Sequence, residues 1–322
     1  MRITLTPPPW ATHVLSDLSD WHRAPTSVEA LEPWQVPDDA RVEYAYRDAT
    51  GALRADPDNP RSAENPWWPE ARLFTGPAWR PHPLAAPPED LPRGRTLRFR
   101  LESRHLGPRR RLIIYTPAGL EDAYLPVVYV QDGTGFFHNG RPQEVLEALL
   151  VEGRIAPAHL VFVEPRDRNV EYVFHEPFLA FFFEEVLSFV EEQVRCVQER
   201  HLLGVSLGGL AGATLAWRAP DLFQSVLGLS GAWTVHPGDT PPDPFRGREW
   251  ITERVLTEAS RDLRWYLGCG TLEWLRDPNR RLRDALLARG NVVRHEERSQ
   301  GHTWGAWRQL LPEALLFALG RP

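Results

Sequence analysis

The stretch Gly204-Val205-Ser206-Leu207-Gly208-Gly209 is the feature that most narrows what this chain of 322 residues can fold into. The apolar run His201-Leu202-Leu203 precedes it, and Leu210-Ala211-Gly212-Ala213-Thr214-Leu215-Ala216-Trp217 follows. Strand, tight turn and helix are therefore expected in succession, with G-x-S-x-G at the turn. A serine nucleophile must stand clear of its sheet on a strained turn, and glycines two residues to either side let the neighbouring backbone come close. The next N–H, that of Leu207, then opens a helix, where it points at developing negative charge. On this reading Ser206 is the nucleophile and Leu207 an oxyanion donor.

The rest of the chain must supply the sheet that such a turn needs. From Arg95 onward, strands are expected over 96–103, 110–116, 125–130, 159–163, 225–230, 263–268 and 292–295. Helices are expected over 143–152, 177–194, 279–289 and 304–319. Leu125-Pro126-Val127-Val128-Tyr129-Val130 is apolar throughout, as a strand buried on both faces of a parallel sheet requires. The alternation predicts an α/β fold with a doubly wound, mostly parallel sheet and its site at the carboxyl ends of the strands. Residues 1–76 read differently. They are rich in proline and tryptophan, and short alternating segments such as Arg41-Val42-Glu43-Tyr44-Ala45-Tyr46-Arg47 suggest a small β-sandwich domain. Residues 77–94 read as a proline-rich linker packed over the surface, and 95–322 as the catalytic domain.

Composition closes off several alternatives. The net charge of -6 gives no basic surface for nucleic acid or an acidic membrane. All 37 basic residues are arginine, which excludes a lysine Schiff base or lysine general base. Cys196 and Cys269 have no zinc-ligand or C-x-x-C spacing and read as free, mostly buried thiols. The first residues lack an apolar core of signal-peptide length, and the expected location is cytoplasmic.

In a fold of this kind the nucleophile is followed by an acid and then by a histidine. Gly301-His302-Thr303-Trp304 falls in the loop after the last strand, which makes His302 the expected general base and Thr303 an N-cap for the final helix. Two carboxylates, Glu273 and Asp277, follow the strand 263–268. Asp277 before Pro278 suits a helix start, which leaves Glu273 the better candidate for orienting the imidazole. The second oxyanion donor should come from Gln131-Asp132-Gly133-Thr134-Gly135-Phe136-Phe137, as the N–H of Gly133 or Thr134, with Asp132 tying the loop together. Phe181-Phe182-Phe183 spreads too widely around a helix to be anything but mostly core.

These residues together resemble the enterochelin esterase branch of the esterase D family of α/β hydrolases. The matching elements are Val-Tyr-Val-Gln-Asp-Gly at 128–133, Arg166-Asp167-Arg168-Asn169-Val170-Glu171-Tyr172, Gly-Val-Ser-Leu-Gly-Gly at 204–209 and Leu229-Ser230-Gly231-Ala232-Trp233. Gly270-Thr271-Leu272-Glu273 and Gly301-His302-Thr303-Trp304 with Trp307 complete them. The resemblance implies an α/β-hydrolase fold, a triad of Ser206, Glu273 and His302, and no metal or organic cofactor. It further implies a serine esterase for a small-molecule ester, with a siderophore of the enterochelin type as the expected substrate. The first 76 residues resemble, more weakly, the immunoglobulin-like modules that precede siderophore esterases and carbohydrate-acting enzymes. Arg166 and Arg168 would then face an anionic substrate such as a ferric catecholate, or else pair with Glu164, Asp167 or Glu171. Trp233 and the insertion from Val235 to Arg248 would cap the pocket or else form a poorly structured excursion. The alternatives are a carbohydrate esterase for acetyl or feruloyl groups with a glycan-binding front module, and a non-catalytic binding protein on the same fold. Absence of a secretion signal weighs against the first; intact Ser206, His302, Gly204 and Gly208 weigh against the second.

Overall fold

The computed structural model describes residues 1–237 and 248–321. In the front segment, strands β1 (Arg2–Ile3), β2 (Ala11–Ser16), β3 (Thr26–Ser27), β4 (Trp34–Gln35), β5 (Arg41–Asp48), β6 (Leu53–Arg54) and β7 (Arg72–Thr75) follow one another. They make a five-stranded sheet in the order β3-β2-β5-β6, with β7 also on β5, and a separate β1–β4 pair. Every pairing is antiparallel. Where a sandwich of immunoglobulin type is expected, the segment has one five-stranded sheet and one separate pair of two-residue strands. Residues 77–94 lie along the later domain: the His82 N–H donates to Gln309 Oε1 at 2.8 Å, and Leu84 is buried among residues of the final helix.

The second part is an eight-stranded sheet built from β8 (Arg95–Ser103), β9 (Gly107–Thr116), β10 (Leu125–Val130), β11 (His159–Val163), β12 (Cys196–Val205), β13 (Ser225–Leu229), β14 (Arg264–Gly270) and β15 (Val293–Arg298). Its order is β15-β14-β13-β12-β10-β11-β9-β8, parallel from β15 to β11 and antiparallel at β9 and β8. β10, β11 and β13 are buried along nearly their whole length and read as mainly apolar runs, whereas β12 is buried only from Arg200 onward. Two core clusters cover the two faces. The helices Leu207–Arg218 and Arg276–Ala288 contribute to one, Pro142–Val151 and Trp304–Leu319 to the other. The helical stretch from Glu176 to Gln193 widens into a π-turn at Phe182–Val186, and Phe181 and Phe182 are buried, as their spread around the helix predicts.

Candidate active site

Ser206 stands at the end of β12 with φ 55° and ψ −123°. This positive φ is a strained conformation for a residue with a side chain, and the fold enforces it by close packing. A Cβ on Gly204 would come within 2.3 Å of the Gly208 backbone, and one on Gly208 within 2.6 Å of Asp132 Oδ2. Both glycines are therefore required by their neighbours. Ser206 lines a cleft of about 400 Å³ at the carboxyl ends of the strands, together with His302, Arg168, Trp67, Trp304 and Trp307. Ser206 is buried, and it shares the cleft with His302.

His302 is held by the last loop before the helix Trp304–Leu319. Its ring lies between Trp274, at 4.6 Å, and Trp307, at 4.9 Å between centroids. Nδ1 bonds to Glu273 Oε2. Glu273 has no exposed side-chain surface. Its other oxygen, Oε1, accepts from Ser230 Oγ at 2.6 Å, the Gly270 N–H at 2.7 Å and Cys269 Sγ at 3.0 Å. Ser230 Oγ in turn accepts from Trp307 Nε1 at 2.9 Å. Three donors on one oxygen stabilise a buried carboxylate and leave the other free to face the imidazole. Burial and then the Glu273 charge push the Cys269 thiol well above its ordinary pKa, so it is a donor here.

Asp277 points elsewhere: its carboxylate pairs with Arg276 at 2.8 Å and is exposed. It is not the helix cap that the sequence suggested, since the helix begins at Arg276 with Leu275 before it and no side-chain cap. Thr303 does occupy the N-cap position of the last helix, but its hydroxyl donates to Glu43 Oε1 at 2.8 Å instead of capping.

The loop after β10 approaches from the other side. The N–H groups of Leu207 and Gly133 each open a helical turn and make no hydrogen bond among the described residues. Thr134 differs from expectation: its N–H donates to Glu164 Oε2 at 3.1 Å, and its hydroxyl bonds to the same oxygen. Asp132 ties the loop down, accepting from Arg168 Nε at 2.9 Å while its N–H donates to the Tyr172 hydroxyl at 2.7 Å. Burial would lower the Arg168 pKa, but Asp132 outweighs it and holds the guanidinium above its ordinary value.

Two residues assigned to the cleft lie outside it. Arg166 donates to the Pro108 carbonyl and lines a separate arginine-rich hollow with Arg109 and Arg111. Trp233 is completely buried, packed over Gly228 and Gly231 with Nε1 bonded to Asn279 at 2.8 Å. It fills the core because two glycines leave room for its ring. Most of the insertion after Val235 lies outside the described residues. Sequence reasoning missed Trp67, which reaches the cleft from the front segment and stands edge-on to Trp307 at 5.6 Å. It also missed the bonds that Ser230, Gly270 and Cys269 make to Glu273, although Ser230 and Trp307 stand inside the motifs quoted above.

A family model described as Putative esterase matches residues 103–318. The protein YbbA of Bacillus subtilis (strain 168) is 26% identical over 174 residues, covering 45% of this chain and 68% of its own. Among solved structures, ferric enterobactin esterase from Salmonella typhimurium superposes with a TM-score of 0.76 at 20% identity, covering 97% of this chain and 92% of that one. A ferulic acid esterase from the anaerobic fungus Anaeromyces mucronatus gives 0.57 at 18% identity, covering 74% and 94%. At such identities the likeness speaks for the fold alone, and that fold is the α/β hydrolase. Since the family model spans two thirds of the chain, with strands β9 to β15 of the sheet and every cleft residue except Trp67, this chain belongs to the Putative esterase family.

Proposed function

We propose that the protein is a serine carboxylic-ester hydrolase acting through an acyl-enzyme, with Ser206 as nucleophile, His302 as general base and Glu273 as its partner. One observation carries this reading. His302, bonded to a Glu273 saturated by other donors, lines the same cleft as a strained Ser206. Ser206 Oγ attacks the ester carbonyl as His302 takes its proton. The oxyanion is met by the N–H groups of Leu207 and Gly133, and His302 returns the proton to the departing alcohol. Water then enters by the same route and releases the acid.

Three indoles, Trp67, Trp304 and Trp307, bound the cleft, which favours an ester of an aromatic acid. A catecholate siderophore is the reading supported by the likeness of nearly the whole chain, front segment included, to an enterobactin esterase. A feruloyl ester is the second reading, and charge favours it: the cleft's arginine, Arg168, is already paired with Asp132, and Glu164 adds a carboxylate. A ferric catecholate is a polyanion and would meet little free positive charge there.

Hydrolysis of aryl esters of graded acyl size, with a ferric catecholate ester and methyl ferulate in the panel, tests the proposal. Ser206→Ala should lose about 10⁴-fold or more in kcat with binding retained. Unchanged hydrolysis in that variant would overturn it, and the preferred member of the panel separates the two substrates.

A further inference from the structure

The loop bearing His302 is gripped from the front segment on both sides of the histidine. On one side, the Arg41 N–H donates to the Ser299 carbonyl at 2.7 Å, and Gly301 packs so closely on Asp17 that a Cβ there would lie 2.2 Å from the carboxyl carbon. On the other side, Thr303 donates its hydroxyl to Glu43, and a Cβ on Gly305 would lie 2.2 Å from Arg41 Nη2. The residues doing this are buried: Asp17 is 3% exposed, Arg41 4% and Glu43 0%. Glu43 Oε1 accepts from Arg41 Nη1 at 2.6 Å, and Oε2 from Asn65 Nδ2 at 2.6 Å. The Glu43 N–H donates to Asp17 Oδ2 at 2.8 Å, and Trp21 Nε1 to Asp17 Oδ1 at 3.0 Å.

A buried ion pair of this kind is a poor source of stability, because desolvation offsets most of its attraction. What it supplies is a single geometry, since each charged oxygen is satisfied in only one arrangement. We propose that Glu43, with Arg41 and Asp17 behind it, is a positioning residue for His302: the front segment fixes the loop 299–305 so that the imidazole faces Ser206 while bonded to Glu273. The proposal rests on the catalytic reading of His302 given above. It assigns the front segment a part in the chemical step, separate from the contact of Trp67 with the cleft.

The test compares wild type with Thr303→Val, Glu43→Gln and the double variant in the full-length chain. Thr303→Val removes one hydroxyl and leaves the Glu43, Arg41, Asn65 and Asp17 bonds in place, so it carries the test even where Glu43→Gln folds poorly. Expected are a roughly ten- to hundredfold fall in kcat with KM within about twofold, and a double variant no worse than the weaker single one. The low-field proton resonance of the His302 Nδ1–H should broaden or shift in Thr303→Val. Folded Thr303→Val with wild-type kcat and an unchanged resonance would overturn the proposal. If wild type hydrolyses no ester, the catalytic reading fails by itself, and the resonance still reports whether the brace holds His302.

Discussion

At the scale of single residues, Glu273 and Asp277 lie four positions apart, yet the side chain of the first has no exposed surface while that of the second is 56% exposed. Their spacing along the chain left both open as partners of the histidine. The helix-start argument set Asp277 aside, although the structure caps that helix with neither. What separates the two carboxylates is the set of donors that folding gathers around Glu273: Ser230, Gly270 and Cys269. Glu273→Gln keeps the shape but removes the charge that stabilises an imidazolium, and kcat should fall by roughly 10²–10⁴. Asp277→Asn should stay within about twofold of wild type. Parallel steady-state kinetics on one aryl ester check both, and equal losses would contradict the assignment.

Among elements, the turn from β12 into the helix Leu207–Arg218 was legible because its requirements are local. G-x-S-x-G records the close backbone contacts, and Gly204 is the tightest of them. Gly204→Ala would drive a methyl group into the Gly208 backbone, 2.3 Å away. Thermal unfolding should show a loss of about 1–3 kcal/mol, with activity reduced in the remaining folded fraction. A stability equal to wild type would mean that the turn relaxes without strain. The loop after β10 was legible only in part. Its glycines suggest a backbone donor and left Gly133 and Thr134 both open; the bond that engages the Thr134 N–H comes from Glu164, 30 residues further on, which no local pattern announces.

In the whole molecule, the junction between front segment and hydrolase sheet carries its own pH signature. Burial, then the neighbouring Glu43 charge, raises the Asp17 pKa from 3.8 to about 7, against the opposing effect of Arg41. The folded chain therefore holds this proton more tightly than the unfolded one. The contribution of Asp17 to stability is fully present below about pH 4 and is lost as pH rises through about 7. Asp17→Asn cannot ionise, so its stability relative to wild type should climb between pH 4 and pH 7 and then level off; urea midpoints over that range check the sign. A difference that falls or stays flat would mean that Asp17 is ionised throughout. The sequence by itself determined the alternation of strands and helices, the elbow at Ser206, the loop position of His302 and the burial of Phe181 and Phe182. All of these are written in periodicity, in glycine placement or in chain order, which act over a few residues. Only the tertiary structure decided that Trp233 is core, that Arg166 faces away from the cleft, that Trp67 reaches it, and that Glu43 holds the histidine loop from 260 residues away. Those outcomes depend on which surfaces meet after folding, and contacts between distant segments leave no period or motif in the chain that makes them.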